Sequence, residues 1–338
     1  MARNTCLLCA VELAPLDDHR QAHPDTPDCN VRVTDLWGVA IIEPKINDIE
    51  PPEQIDISTY PYVEDALIEI FGKAGIPRLG GVSTGRGWSS ISTYQRCPLA
   101  WRYKYVEQRK PWILTESPAL AIGTLVHVFL AAYYQQMLDS SYPLSPEHIY
   151  DAVRRIANPE FTGEAWRLYS AYRMFYTDDA FHPLAIEHDL KDPRTGDSCR
   201  YDLIAFFPES IAGRPAGTYV IEHKTVSAFS ADNLEGWVCD GEVIGQIALW
   251  KKLGLDLRFG ELQGVLVNLL GKQKDPQFHR TYVAPTSWQI QTHLDDLRRW
   301  EGLLQLSLAT DNFPRARQGC LSRYGRCGFW DLCAGDGA

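Results

Sequence analysis

The spacing of apolar residues changes character along the chain. From about residue 88 onward, helical and strand-like stretches follow one another with few interruptions. Apolar positions recurring at helical spacing predict helices over 118–138, 146–157, 163–176, 242–253 and 287–308. A further helix is expected to run to about residue 105, with Ser89 or Ser90 as its cap. Short runs rich in β-branched and aromatic residues predict strands over 184–190, 200–207, 218–225, 262–270 and 278–283. The core order is therefore helix, three strands, helix, strand, an α/β fold with added helices. Internal repeats and low-complexity tracts are absent. Upstream the pattern fades. Residues 1–36 are rich in Cys, His, Asp and Pro, and 37–86 read as a linker or extension. That extension holds an apolar stretch at 39–42, an expected short helix at 63–74 and a glycine-rich end at 79–87. The glycine run lacks the Gly-Lys-Ser/Thr ending of a phosphate-binding loop. Residues 87–338 form the expected main domain.

Composition narrows the class. The 338 residues are 45% hydrophobic, with 10 Trp, 16 Tyr and 12 Phe, enough for a large core. A net charge of −10 argues against indiscriminate coating of nucleic acid. Basic residues are nonetheless clustered at Arg96, Arg102, Lys104, Arg109 and Lys110, interleaved with Trp101, Tyr103 and Tyr105. A second cluster is Arg315, Arg317, Arg323 and Arg326. Such stretches suit a strand's phosphates and stacked bases, or equally a solvated helix face. The polar start, with Glu12 breaking the only short apolar run, carries no secretory signal. No stretch is read as approaching the ~20 apolar residues of a membrane span. The expected location is the cytoplasm, away from membranes, where the nine cysteines serve as metal ligands or free thiols before disulfides.

The sharpest chemistry sits on two neighbouring strand-like runs. One carries Asp202, the next Glu222-His223-Lys224. Residues i and i+2 of a strand project to one side, so Glu222 and Lys224 point together, and an adjacent strand can bring Asp202 beside them. Two carboxylates can hold a hard cation through oxygen, and an ammonium beside them can orient water or stabilise charge on a phosphate. That is equipment for hydrolysing a phosphodiester. An edge strand with alternating charges facing water is the bland alternative.

Set in this order of elements, Asp202 and Glu222-x-Lys224 resemble the PD-(D/E)-x-K nuclease superfamily, whose core is the restriction-endonuclease-like fold. Other residues resemble its RecB-like branch. Gly123-Thr124-Leu125-Val126-His127 is similar to that branch's Gly-x-x-x-His helix, and Gln246-Ile247-Ala248-Leu249-Trp250 to its Gln-x-x-x-Tyr motif, with tryptophan in place of tyrosine. Cys199 stands where a glycine usually precedes the aspartate. The resemblance implies that His127, Asp202, Glu222 and the backbone carbonyl of His223 bind one or two Mg²⁺ or Mn²⁺ ions. Imidazole shifts the preference somewhat toward Mn²⁺. It implies that Lys224 positions or helps deprotonate a metal-bound water, and that Gln246 holds the substrate backbone or supports Lys224. Glu187, on the preceding strand, is a supporting candidate behind the ligands.

Cysteines supply a second set. Cys97 upstream with Cys320, Cys327 and Cys333 downstream is similar to the iron–sulfur staple of AddB-type nucleases and the nuclease of CRISPR adaptation. This implies a [4Fe–4S] cluster clamping the ends of the domain, with a Cys₄ zinc site the nearest alternative. In the first zone, Cys6, Cys9, His23 and Cys29, with His19 an alternate fourth ligand, have the make-up of a zinc (Zn²⁺) knuckle. The reading as a whole is a metal-dependent deoxyribonuclease. It is expected to be an exonuclease on DNA ends or single-stranded DNA, serving recombination, repair or CRISPR-type adaptation, with a recombination or helicase protein as partner. An endonuclease, or a non-catalytic assembly module of a helicase or recombination complex, is the alternative.

Overall fold

The computed structural model describes residues 87–334 apart from 110–117, 143, 155–157, 178–180, 211–212, 231–233 and 323–324, together with four short strands nearer the start. Those strands are β1 (Asn4–Thr5), β2 (Glu12–Leu13), β3 (Val31–Val33) and β4 (Ala40–Ile42), paired antiparallel as β1–β2 and β3–β4. They belong to a separate unit, Met1–Glu50. Cys6, Cys9, His19, His23 and Cys29, and the helix expected over 63–74, lie outside the described residues.

The main unit is built on one five-stranded sheet, in spatial order β5 (His182–Lys191), β6 (Ser198–Phe207), β7 (Gly217–Val226), β8 (Leu262–Gly271) and β9 (Gln277–Val283). Pairing is antiparallel except between β7 and β8, which run parallel. A parallel pair needs a long crossover, and α6 (Gly241–Leu253) and α7 (Asp256–Phe259) lie within it. One face of the sheet packs on α3 (Pro118–Leu138), α4 (Pro146–Val153) and α5 (Pro159–Phe175). The other face packs on α6 and the start of α8 (Ser287–Thr310). This is the mixed α/β architecture of a restriction-endonuclease-like core.

Local chemistry explains the element ends. The helix expected to run to about residue 105 is two helices, α1 (Trp88–Arg96) and α2 (Pro98–Trp101), followed by a π-helical turn at Arg102–Val106. Pro98 disfavours helical backbone in the residue before it, and Cys97 is extended (φ −164°, ψ 109°). Neither Ser89 nor Ser90 caps α1; Gly87 holds that position without a side-chain bond. α5 begins at Pro159 rather than 163, because Asn158 accepts from the amide of Glu160 and Pro159 presets the first turn. Thr286 and Gln289 close a capping box on α8. Gly254, in left-handed conformation, ends α6.

α3 corrects one expectation. At 21 residues it is long and apolar enough, by composition alone, to cross a membrane. Its apolar residues are instead spent inside the fold, where Leu125, Val126, Val128 and Phe129 are fully buried against α5 and the sheet. Truncating Leu125→Ala should therefore leave a cavity and cost about 2–5 kcal/mol, read as a lower midpoint in urea unfolding. An unchanged midpoint would show that this helix is not core.

Candidate metal centre and active site

The site lies where β6 and β7 part. Their ladder runs from Phe207↔Gly217 to Leu203↔Ile221, so the next positions are Asp202 and Glu222. Beyond the last pair the amide of His223 donates to Asp202 Oδ2 at 2.8 Å, which pins that carboxylate in place. On the other side, the β5–β6 pairs Ile186↔Leu203 and His188↔Tyr201 flank Glu187 and Asp202. Glu187 has φ +44°, a left-handed backbone that is costly for a side chain of this kind. Strain of this sort persists where surrounding structure over-determines it, here beside a buried carboxylate cluster.

Helix α3 brings the third group. A Cβ on Gly123 would sit 3.3 Å from Thr225 Oγ1, so glycine lets the helix approach the end of β7 closely. One turn later His127 Nδ1 lies 3.3 Å from Asp202 Oδ2 and 3.8 Å from Glu187 Oε1. The ligand atoms of His127, Glu187 and Asp202 all fall within 4.8 Å of one another. Octahedral ligands about 2.1 Å from a small divalent cation are roughly 3 Å apart when adjacent and about 4 Å when opposite. The three side chains fit such an ion. Glu187 thus stands among the possible ligands, where the sequence placed it behind them.

Glu222 occupies an adjoining position, outside that group of three. Its Oε1 is 2.7 Å from Lys224 Nζ, and its Oε2 accepts from Gln246 Nε2 at 2.7 Å. Burial pushes its carboxyl up to about 8, and the neighbouring Asp202 adds to this against the opposing pull of Lys224. Burial works against the Lys224 ammonium, but Glu222, Glu242 and Asp202 outweigh it and hold the group well above its ordinary value. Lys224 is therefore a fixed cation at neutral pH. Its second partner, Glu242 Oε2 at 2.9 Å, escaped the sequence reading. The available signal was its place in the first turn of the helix after the third strand, four residues before Gln246 and so on the same helix face.

The other residues sit as follows. The ring of His223 stacks on Tyr134 (5.9 Å between centroids, 9° between planes), and its Nδ1 is 2.8 Å from Asn268 Nδ2. Trp250 is fully buried and donates to Asp256 Oδ1 at 2.7 Å, while the hydroxyl of Tyr201 donates to the carbonyl of Gln246. Cys199 lies close enough to Glu222 and Glu242 to feel both charges; burial first, then those charges, lift its thiol to about 12. Cys97, at the break between α1 and α2, packs with Phe329 and Cys327. The Cys327 amide donates to the Cys320 carbonyl at 2.8 Å, and Cys333 stands in α9 (Trp330–Ala334). After burial, Cys97, Cys327 and Cys320 all raise the Cys333 thiol, so four cysteines spread over residues 97–333 lie near one another.

A mixed sheet with helices on both faces, a His/Glu/Asp cluster and an adjoining Glu-x-Lys strand has the parts of a metal-dependent hydrolytic nuclease. Residues 88–334 match the family model of the PD-(D/E)XK nuclease superfamily, and the chain belongs to that superfamily. Members of the superfamily use divalent metals. Among solved structures, the chain is similar to a Eubacterium rectale protein provisionally named an exonuclease. The identity is 13%, with 84% of this chain and 94% of that one covered at a TM-score of 0.43. No curated protein matches the sequence.

The raised Glu222 carboxyl has a stability consequence without metal. An unfolded glutamate loses its proton near about 4.3, whereas the folded one keeps it to about 8. The contribution to stability is complete below the lower value and is lost as pH rises through the upper one. In chelator, Glu222→Gln should match the wild type in thermal unfolding at pH 4 and unfold at a higher temperature at pH 9. Equal midpoints at both pH values would refute the shift.

Proposed function

We propose that the protein is a Mg²⁺- or Mn²⁺-dependent deoxyribonuclease, an exonuclease on DNA ends or single-stranded DNA that serves recombination, repair or CRISPR-type adaptation. The observation that carries the reading is the His127–Glu187–Asp202 group abutting the Glu222–Lys224 pair. His127, Glu187 and Asp202 hold the cation, with Glu222 and the His223 carbonyl as the remaining ligands assigned. The bound cation supplies a water of lowered pKa and neutralises phosphate charge. The His223 amide keeps Asp202 aimed at the ion. Lys224, held charged between two carboxylates, orients the attacking water and offsets charge developing on the phosphate; it does not take the water's proton. Gln246 fixes Glu222 from the opposite side.

The cysteines belong to the same proposal. On the resemblance, Cys97, Cys320, Cys327 and Cys333 are assigned to a [4Fe–4S] cluster, with a Cys₄ zinc site the alternative. Cys6, Cys9, His23 and Cys29 are assigned to zinc. The location is the cytoplasm, and the partner a recombination or helicase protein.

Digestion of end-labelled single- and double-stranded DNA should require Mg²⁺ or Mn²⁺ and stop on chelation. Asp202→Ala and Lys224→Ala should each cut activity at least about a hundredfold with the fold intact by circular dichroism; full activity in either would remove the assignment. Circular single-stranded DNA should survive, and its cleavage would establish an endonuclease instead. Anaerobically purified protein should be brown and carry iron, and Cys327→Ser should lose both colour and thermal stability. A colourless, zinc-loaded protein would overturn the cluster.

A further inference from the structure

The cysteine corner carries charge that the rest of the molecule does not share. Over the whole chain Asp and Glu outnumber Lys and Arg by 43 to 33, yet between 312 and 334 four arginines face one aspartate, Asp331. Many arginines elsewhere are paired: Arg102, Arg154, Arg167, Arg200, Arg298 and Arg299 each lie within 3.1 Å of a carboxylate oxygen. Arg96, Arg315, Arg317 and Arg326 have no ion-pair partner among the described residues, and all four are exposed. They surround the cysteines. Arg315 lies close enough to Tyr103 and Cys333 to lower both groups' pKa, in opposition to burial. A Cβ on Gly319 would meet the Arg96 carbonyl at 2.8 Å, which brings the turn Arg317–Gly319 against the end of α1. Arg326 covers the face of Trp330 at 5.2 Å.

α1 links this corner to the metal centre. Its last residue is Arg96; its first, Trp88, lies so close to Gly241 that only glycine fits there. Gly241 precedes Glu242, the partner of Lys224. Nine helical residues span roughly 12–14 Å. Part of this charge can offset the cysteine thiolates, but four exposed guanidiniums also present a surface that matches a polyanion. We infer that Arg96, Arg315, Arg317 and Arg326 form the entry of a track along α1 on which a single strand of nucleic acid approaches the metal centre. Phosphates pair with the arginines, and bases lie on the half-buried rings of Tyr103 and Trp88. This rests on the nuclease reading and names the segment of substrate that lies outside the metal centre.

The test is binding of a fluorescein-labelled oligothymidylate by the full-length protein, followed by anisotropy from 50 to 200 mM salt without Mg²⁺ or Mn²⁺. Arg315→Ser/Arg317→Ser should weaken binding about tenfold and flatten the log–log salt slope by about 1.4, two phosphates at ~0.7 each. Arg315→Lys/Arg317→Lys should keep the slope, which a fold defect would not. If the double serine variant does not fold, the single variants should each flatten the slope by about 0.7. Wild-type affinity and slope in the serine variants, or a loss for duplex but not for the single strand, would overturn the track. The two readings fail separately. A wild type that binds with this arginine dependence but cuts no DNA retains the track and loses the nuclease; one that cuts DNA while the serine variants bind normally does the reverse.

Discussion

Three carboxylates and an imidazole gathered at the broken end of a strand pair are the constraint around which this domain is arranged. Asp202, Glu187 and Glu222 are all buried, and buried like charges raise one another's pKa unless a cation or proton intervenes. The chain already provides one cation, Lys224, but that ammonium is shared with Glu242 as well as Glu222. Asp202 draws on the same ammonium, so one lysine is spread over three carboxylates. A divalent ion meets that need in charge and in size. The strained backbone of Glu187 points the same way, since its cost is tolerated where the site gains from it.

Each face of the sheet supplies one half of the centre. α3, buried along most of its length, is a rigid rod that presents His127, and Gly123 sets how near that rod comes to β7. α6 on the opposite face presents Glu242 and Gln246, one turn apart, to Lys224 and Glu222. The sheet edge between them carries Asp202, Glu187 and Glu222. Movement of either layer would change the spacing of groups that are only 2.7–3.8 Å apart. The core packing on both faces therefore determines the chemistry, beyond its role in stability.

The cysteine corner adds a second tie. It joins the break between α1 and α2 to the end of the chain, and α1 runs from there to the rim of the active site. Substrate contact, cluster and catalysis would then share one short helix, so loss of the cluster would loosen the approach to the site along with the fold.

Much of this was legible in the residues. Asp202, Glu222 and Lys224 stood out because the strand period dictates which side chains share a side, and His127 and Gln246 because their helix motifs resemble those of a nuclease branch. Helix ends at Asn158–Pro159 and Thr286 follow from capping chemistry that is local and readable. Other features depend on distances that no period encodes. The break at Cys97 was available from Pro98, yet only the folded chain sets that cysteine beside Cys327. Glu187 read as a supporting candidate behind the ligands, and only the folded chain sets its carboxylate 3.8 Å from His127. Glu242 gained its role only when folding set its carboxylate 2.9 Å from Lys224. The apolar length of α3 is the same in a membrane span and in a core helix, and only the sheet and α5 packed around it decide between them. Sequence alone established which chemical groups are available and which of them share a side; the tertiary structure set the ångström-scale separations, because those arise from packing between layers far apart in the chain.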